Sequence, residues 1–598
     1  MLLSGLKRLE YRGYDSAGVA ELEDGSLRVT RAVGRVAELE AKLAAPTTTI
    51  GIAHTRWATH GVPSEANAHP HAAGNLAVVH NGIVENYRSL RDVLEKQGVE
   101  FASETDTEVL AHVINREVGR AAQRGAGRPL VAGIRTALQE VRGTFGIVVL
   151  SADYPDRLVA ARRGSPLVIG YGNGEHLVAS DTSALLGRTR QVVFLEDDEL
   201  AEITAGDVKL ETLEALPVNR AVTEITGSPA EVQKQGYAHF MLKEIHEQPE
   251  ALHDVFRGRF RPKSGTAKLG GVNLTDAELR EIEQVVFIGC GTALYAGQVG
   301  AYWMERLARV PAAAVVASEW RYRNPIVGPR TLCVAISQSG ETADTLAAIR
   351  EAKAKGARTI GLINVVGSTI AREVADGGTY LHAGPEIGVA SSKAFTNMLG
   401  ALLLLAVQVG RLRELSEEEG SAIISEAARL PEILAGQIEA REHVAAAAKR
   451  YAGVTNALYL GRGAAYPMAL EGALKLKEIS YVHAEAYPAG EMKHGPIALV
   501  DPNLLAVFLA PRNSLYEKTK SNLEEIRARE GALLAITTVG NRELDALADA
   551  VIEVPAVHEV LEPFVLATPL QLFAYEMATA RGQDVDKPRN LAKSVTVE

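Results

Sequence analysis

The sequence predicts a multidomain protein of α/β and α+β class: an α+β N-terminal part rich in strand, followed by two α/β units with parallel sheets. Three observations carry this. The chain has 598 residues, too many for one core at roughly 100–200 residues per domain. Residues 1–210 show short apolar runs bounded by Gly, Pro and Asn, with helix-period stretches between them. From Glu281 onward the pattern becomes strand, glycine turn, helix, strand, as a parallel sheet covered on both faces requires.

In the first part, Thr49–Ala53, Leu76–Val79 and Gly146–Leu150 read as strands and Glu108–Val118 as helix. Periodicity weakens from Val218 to Tyr237, around Ser228-Pro229-Ala230-Glu231, which marks a linker; one helical run is expected over His239–Phe256. Val285–Ile288 reads as a buried strand, followed by Gly289-Cys290-Gly291-Thr292 and a long amphipathic helix. Leu332–Ile336 is the next strand, then Ser337–Thr342, the helix Ala343–Lys355 and the strand Thr359–Ile363. Val286–Gly291 resembles Leu458–Gly463, and Ile349–Gly356 resembles Ile526–Gly531. The offset is nearly constant, which suggests a duplicated α/β subdomain. The expected boundaries are 1–210, a linker over 211–240, repeats over 241–425 and 426–583, and a C-terminal tail over 584–598.

A formal charge of −11 argues against a nucleic-acid partner, which needs a basic surface. Two cysteines, Cys290 and Cys333, cannot build a disulfide framework or a thiolate metal site, and a reducing cytoplasm is the expectation. The longest apolar stretch, Met398–Val409, is too short to span a bilayer, and the N-terminus has no apolar core of a signal peptide, so no membrane partner is expected. Gly289-Cys-Gly-Thr-Ala-Leu294 lacks the third glycine of the dinucleotide fingerprint. Neither a cofactor nor a metal is expected.

Ser337, Ser339 and Thr342, with Gln338 and Gly340, lie between a strand and a helix. Clustered hydroxyls and backbone N–H groups at a helix start suit a phosphomonoester, and glycine lets backbone approach it. The competing reading is an ordinary helix cap. The second repeat has Pro511-Arg-Asn-Ser-Leu-Tyr516 at this place, so one phosphate site per chain is expected. Glu471, Lys475 and Glu478 share one face of a strong helix over Ala469–Ser480. On spacing alone this is a solvated ion-pair stripe; the functional reading is a carboxylate beside a lysine that moves protons on a sugar. His494, before Gly495-Pro496, sits where an imidazole can reach a ligand. Lys593 could act as a Schiff-base amine.

These segments, with Glu386–Phe395, resemble the isomerase half of the glutamine–fructose-6-phosphate aminotransferase family, which is built of two sugar-isomerase (SIS) subdomains. Leu9–Gly18, Ala53–Gly61, His80–Asn86 and Ser103–Glu108 resemble its class II glutamine amidotransferase domain, an Ntn-type αββα sandwich. The resemblance covers residues 1–598. It implies that Ser337, Gln338, Ser339 and Thr342 hold the sugar phosphate and that Val389 and Ser391 line the sugar pocket. It implies an imine on Lys593, ring opening by His494 of a second subunit of a homodimer, and proton transfer by Glu478 with Lys475 nearby. Arg56 and Asp106 would bind the glutamine α-carboxylate and α-amino group. Asn81 and Gly82 would form the oxyanion hole, and Trp57 would gate an ammonia channel. The implied substrates are fructose 6-phosphate and glutamine or ammonia.

One departure matters. The family opens Met-Cys-Gly-Ile, and the processed cysteine attacks glutamine with its own α-amino group, of pKa ~8, as base. Here Met1-Leu-Leu-Ser-Gly-Leu6 falls within what resembles the family's first helix, so the first strand and the cysteine are missing. A start assigned too far downstream is favoured over true loss, because Arg56, Asn81, Gly82 and Asp106 remain. As the chain stands, no glutamine hydrolysis is expected, while isomerisation or slow ammonia-dependent amination persists. Two other readings are a SIS enzyme that deglycates fructosamine phosphates and a non-catalytic sugar-phosphate sensor. The amidotransferase motifs argue against the first, and Lys475, Glu478, His494 and Lys593 against the second.

Overall fold

The computed structural model describes residues 1–10, 13–43, 48–57, 61–225 and 233–595. Parts of three motifs (11–12, 58–60 and 596–598) and the linker core Ser228–Glu231 lie outside the described residues. The chain divides into two units, residues 1–232 with 592–598, and residues 233–591.

In the first unit, a seven-stranded antiparallel sheet runs, across its hydrogen bonds, Pro217–Val218, Val208–Thr212, Glu199–Thr204, Arg157–Arg163, Gly143–Ser151, Leu76–Val84 and His71–Ala73. A three-stranded sheet pairs Ser26–Val33, Ser16–Glu23 and Gly51–Arg56. Strand residues alternate faces, and the apolar residues follow suit. Ala20, Leu22 and Ile52 of the small sheet meet Ala77, Val79, Val148 and Leu150 of the large one. The intervening Val78, Ile147 and Val149 face the helices Asp106–Gln123 and Pro129–Glu140. Ala17 and Val19 face the helices Leu2–Leu9 and Val36–Lys42. The layers are therefore α, β, β, α. The expected boundary at 210 is corrected: strands continue through Val218, because Val208–Thr212 pairs along the sheet edge and Leu210 with Val218.

The second unit holds two five-stranded parallel sheets. The first is ordered Ala312–Val316, Gln284–Gly289, Thr331–Ser337, Arg358–Ile363, Gly378–Tyr380; the second His483–Pro488, Asn456–Gly461, Leu504–Ala510, Ala532–Thr538, Ala550–Val554. Every neighbouring pair is parallel. Numbered along the chain, both orders are 2-1-3-4-5, so the repeat inferred from two short motifs extends to whole-sheet topology. One core joins the inner faces of both sheets through a shared helical layer that includes Lys393–Arg411 and Glu562–Ala580. The outer faces have cores of their own. Helix Lys393–Arg411 is long and apolar enough to cross a membrane but is enclosed by protein along its length. The single helix expected over His239–Phe256 is two, Phe240–His246 and Gln248–Phe256. Pro249 has no N–H to give and is tolerated only in a helix's first turn, so a new helix starts there.

Candidate active sites

In a 2-1-3-4-5 sheet the connections diverge between strands 1 and 3, opening a crevice beyond their carboxyl ends where ligands bind. Here those strands are Gln284–Gly289 and Thr331–Ser337. Two loops occupy the crevice: Gly289–Thr292, entering the helix Thr292–Trp303, and Ser337–Thr342, entering the helix Ala343–Ala354.

The Gly340 N–H donates to Ser337 Oγ at 2.9 Å, Ser337 Oγ lies 3.3 Å from Thr342 Oγ1, and the Glu341 N–H donates to Ser339 Oγ at 3.2 Å. Thr342 occupies the N-cap position yet makes no side-chain bond to the helix, unlike an ordinary cap. Gly340 has φ +65°, and a Cβ there would lie 2.0 Å from Ser368 Oγ. Gly340→Ala is therefore expected to distort the loop and raise KM for a sugar phosphate at least about tenfold, from one lost charged contact of ~1.5–3 kcal/mol. Steady-state kinetics with a phosphorylated and an unphosphorylated ketose check this; an unchanged KM removes the loop from phosphate binding.

The loop Gly289–Thr292 carries the crevice to the charged helix, Ala465–Ser480. Cys290 Sγ lies 3.8 Å from Thr345 Oγ1. Lys475 Nζ donates to Thr292 Oγ1 at 3.1 Å, and Thr292 Oγ1 donates to Glu471 Oε1 at 3.2 Å. Lys475 Nζ also lies 2.6 Å from Glu478 Oε2 and 3.6 Å from Glu471 Oε1. The solvated-stripe reading is corrected: the side chains of Glu471 and Lys475 are each 1% exposed. The helix packs between its own sheet and helix Glu562–Ala580, closely enough that a Cβ on Gly472 would lie 2.6 Å from Leu570 Cδ2. Burial pushes the Glu471 carboxyl up to about 7, with Lys475 opposing and Glu478 reinforcing the rise. Burial alone would pull the Lys475 ammonium down, but the two carboxylates reverse this and hold it protonated.

Val389 and Ser391 lie on a loop shaped by two buried carboxylates. Glu386 accepts from Ser391 Oγ (2.9 Å) and from the N–H groups of Ser392 (2.9 Å) and Ala394 (3.0 Å). Glu244 accepts from the N–H groups of Ile387 and Gly388. Glu386 also acts electrostatically on Lys475. The Gly289–Thr292 loop thus has a contact on each side: Cys290 meets Thr345 on the helix that follows the Ser337–Thr342 loop, and Thr292 bonds Lys475, while Ser391 is held by Glu386. Gln338 is half-buried on the same loop. His494 is exposed, at the end of the turn Ala489–His494. Lys593 belongs to the first unit, so the tail expected over 584–598 divides after Leu591. The corresponding loop of the second repeat faces acid: Asn513 Nδ2 donates to Glu562 Oε2 at 2.7 Å and Ser514 Oγ to Glu559 Oε1 at 3.1 Å. Two carboxylates there disfavour a phosphate.

In the first unit, Arg56, Trp57, Asn81, Gly82 and Asp106 line one cavity of about 250 Å³. Arg56 ends the strand Gly51–Arg56, and Asp106 opens the helix Asp106–Gln123, whose N-cap Thr105 accepts from the Glu108 N–H. The Val84 N–H donates to Asp106 Oδ2 at 2.8 Å. Gly82 has φ +147°, and a Cβ there would lie 2.2 Å from the Thr144 carbonyl oxygen. A buried cation and a buried anion in one cavity match the two charged groups of an amino acid. Burial lowers the Arg56 pKa, and Asp15 and Asp106 counter it. Sequence reading missed the histidines. His54, His69 and His80 line the cavity, and His54 stacks on His69 with ring centroids 4.4 Å apart. Burial holds His71 down to about 3, helped by Arg31 and Arg56, and His69 well below its usual value. They stay neutral at neutral pH. Thr292 and Glu386 were also missed as site residues; the first appeared only as part of a glycine turn and the second only as the start of the run Glu386–Phe395, while Glu471 was placed on the charged face without a role of its own.

Comparisons with known proteins agree with this division. A SIS domain model matches residues 278–408 and 451–581, and a glutamine amidotransferase domain model matches 54–187. The chain is 51% identical to a glutamine–fructose-6-phosphate aminotransferase [isomerizing] of Thermus thermophilus and 48% identical to one of Chlorobaculum tepidum. Each alignment covers 100% of this chain and 98% of the relative. The second unit is similar to the C-terminal domain of glucosamine-fructose-6-phosphate aminotransferase from Francisella tularensis: 38% identity, TM-score 0.56, 60% of this chain and 99% of that one.

Proposed function

Because the chain belongs to the isomerising glutamine–fructose-6-phosphate aminotransferase family, and is an enzyme forming glucosamine 6-phosphate from fructose 6-phosphate and glutamine, we propose the following division of labour among its residues. Ser337, Gln338, Ser339 and Thr342 grip the phosphate, with helix Ala343–Ala354 directing its positive end at the anion. Val389 and Ser391 border the sugar. His494, supplied by a second copy of the chain in a homodimer, opens the ring. Lys593 condenses with the C2 carbonyl of the open ketose, forming an imine and releasing water. Ammonia from glutamine then replaces the Lys593 nitrogen at C2, freeing the lysine amine, and Glu478 carries the C1 proton to C2. Lys475, held protonated between two carboxylates, steadies negative charge on the sugar oxygens as it develops.

The observation that supports this reading best is the buried Lys475, joined through Thr292 to the loop at the crevice. Fructose 6-phosphate with borohydride is expected to label Lys593 alone, located by peptide mass analysis. Label on another lysine, or none, would overturn the imine. A sensor needs no imine, and a deglycase has no use for a glutamine site.

In the amidotransferase unit, Arg56 and Asp106 fix the amino-acid end of glutamine, Asn81 and Gly82 stabilise the oxyanion, and Trp57 gates the ammonia path. Neither cysteine suits the attack on glutamine. Cys333 is a sheet residue of the second unit whose thiol burial pushes up to about 12. Cys290, also in the second unit, is pushed up by burial too. Both are free thiols, which fits work in the reducing cytoplasm.

A further inference from the structure

We propose that Asp586 is a positioning residue: it pins the segment Asp584–Leu591 against the sugar loop and the start of helix Phe240–His246, and so sets where Lys593 emerges. This rests on the assignment of Lys593 as the imine-forming amine.

Asp586 is 6% exposed. Its two carboxylate oxygens accept from neighbouring backbone groups, Oδ2 from the Phe240 N–H at 2.9 Å and Oδ1 from the Met241 N–H at 3.0 Å. Lys234 Nζ lies 3.3 Å from Oδ2. Its carbonyl oxygen accepts from the Val389 N–H at 3.3 Å. Asp584 Oδ1 accepts from the N–H groups of Asp586 (3.2 Å) and Lys587 (3.1 Å), which curls the chain at this point. Three residues later, the Arg589 N–H donates to Tyr481 Oη at 2.8 Å, and the Arg589 guanidinium lies over the Tyr481 ring at 4.2 Å. Tyr481, at φ +60°, directly follows the helix that carries Lys475 and Glu478.

One eight-residue stretch thus ties together the loop bearing Val389 and Ser391 and the end of the proton-transfer helix, two residues before Lys593. Charged acceptors make the strongest such bonds. Two adjacent N–H donors need two acceptor oxygens. Asparagine offers one acceptor, and its NH₂ would face a donor. Reach in catalysis is unforgiving, since a shift of about 1 Å can cost on the order of 10²-fold.

The test compares Asp586→Ala, Asp586→Asn and Tyr481→Phe with the unaltered protein. Three readouts are taken: isomerisation kcat, affinity for glucitol 6-phosphate (an open-chain phosphate with no carbonyl), and amide hydrogen exchange over 584–595. For Asp586→Ala, a kcat loss on the order of 10²-fold is expected. Asp586→Asn and Tyr481→Phe should lose less, about tenfold. Exchange over 587–595 should quicken in all three while glucitol 6-phosphate affinity stays within about threefold, roughly 0.6 kcal/mol. Should the alanine variant fail to fold, the asparagine and phenylalanine variants decide. Unchanged kcat, unchanged exchange, or an affinity loss as large as the kcat loss overturns the proposal. If borohydride labels no ketose on Lys593 in the unaltered protein, the imine assignment fails instead, and the clamp still stands or falls on kcat and exchange.

Discussion

Lys475→Met is expected to destabilise the second unit by about 3–5 kcal/mol, because removing one partner of a buried ion pair leaves the other charge uncompensated. Two carboxylates remain after this change. Glu471 is 1% exposed and Glu478 is 19% exposed at the side chain. The loss should depend on pH. The Glu471 carboxyl titrates at about 7 in the fold, against roughly 4.3 in an unfolded chain. Between those values the folded state binds more protons, so stability falls as pH rises, then levels above about 7. Lys475 opposes the rise of Glu471. Without it the native carboxyl moves higher still, and the variant goes on losing stability where the unaltered protein has levelled. The deficit should therefore be larger at pH 8 than at pH 6. Urea unfolding at both pH values measures it; equal deficits would show that Glu471 does not feel Lys475.

Glu478→Gln should abolish isomerisation by a different route. The amide keeps the size of the side chain but cannot take a proton, and positioned acid–base groups contribute about 10²–10⁴-fold. Deuterium exchange between solvent and the sugar C1–C2 positions should fall in step with kcat, while KM changes little because the phosphate loop is untouched. Lys475 still has Glu471 at 3.6 Å, so the fold should survive. A kcat within threefold of the unaltered protein would remove Glu478 from proton transfer.

Much of this was legible in the residue order. Hydroxyls and Gly340 between an apolar run and a helical one mark a turn between a strand and a helix, and Ser337–Thr342 does lie between the strand Thr331–Ser337 and the helix Ala343–Ala354. The two glycine turns at Gly289 and Gly461 announce the repeat. Helix–strand alternation announces parallel sheet, and the short strands of the first unit, with helix-period stretches between them, announce an α+β unit. Ends were blurred for ordinary reasons. The strand read as Thr49–Ala53 runs Gly51–Arg56, because pairing with Ser16–Glu23 carries it past its apolar residues. The helix over His239–Phe256 is cut at Pro249.

Residue types and local spacing by themselves determined the α/β and α+β class of the chain and its duplicated half, because propensity, periodicity and turn chemistry are properties of neighbours in the chain. Burial is not such a property. Glu471-x-x-x-Lys475-x-x-Glu478 has the same spacing on a wet surface as in a core; only the tertiary packing that leaves Glu471 and Lys475 each 1% exposed carries a carboxyl to neutral pH. Nor could spacing join Thr292 to Lys475 or Asp586 to Val389, residues 183 and 197 positions apart. Those pairs meet because sheets and helices bring distant segments within hydrogen-bond reach, and that happens in three dimensions alone.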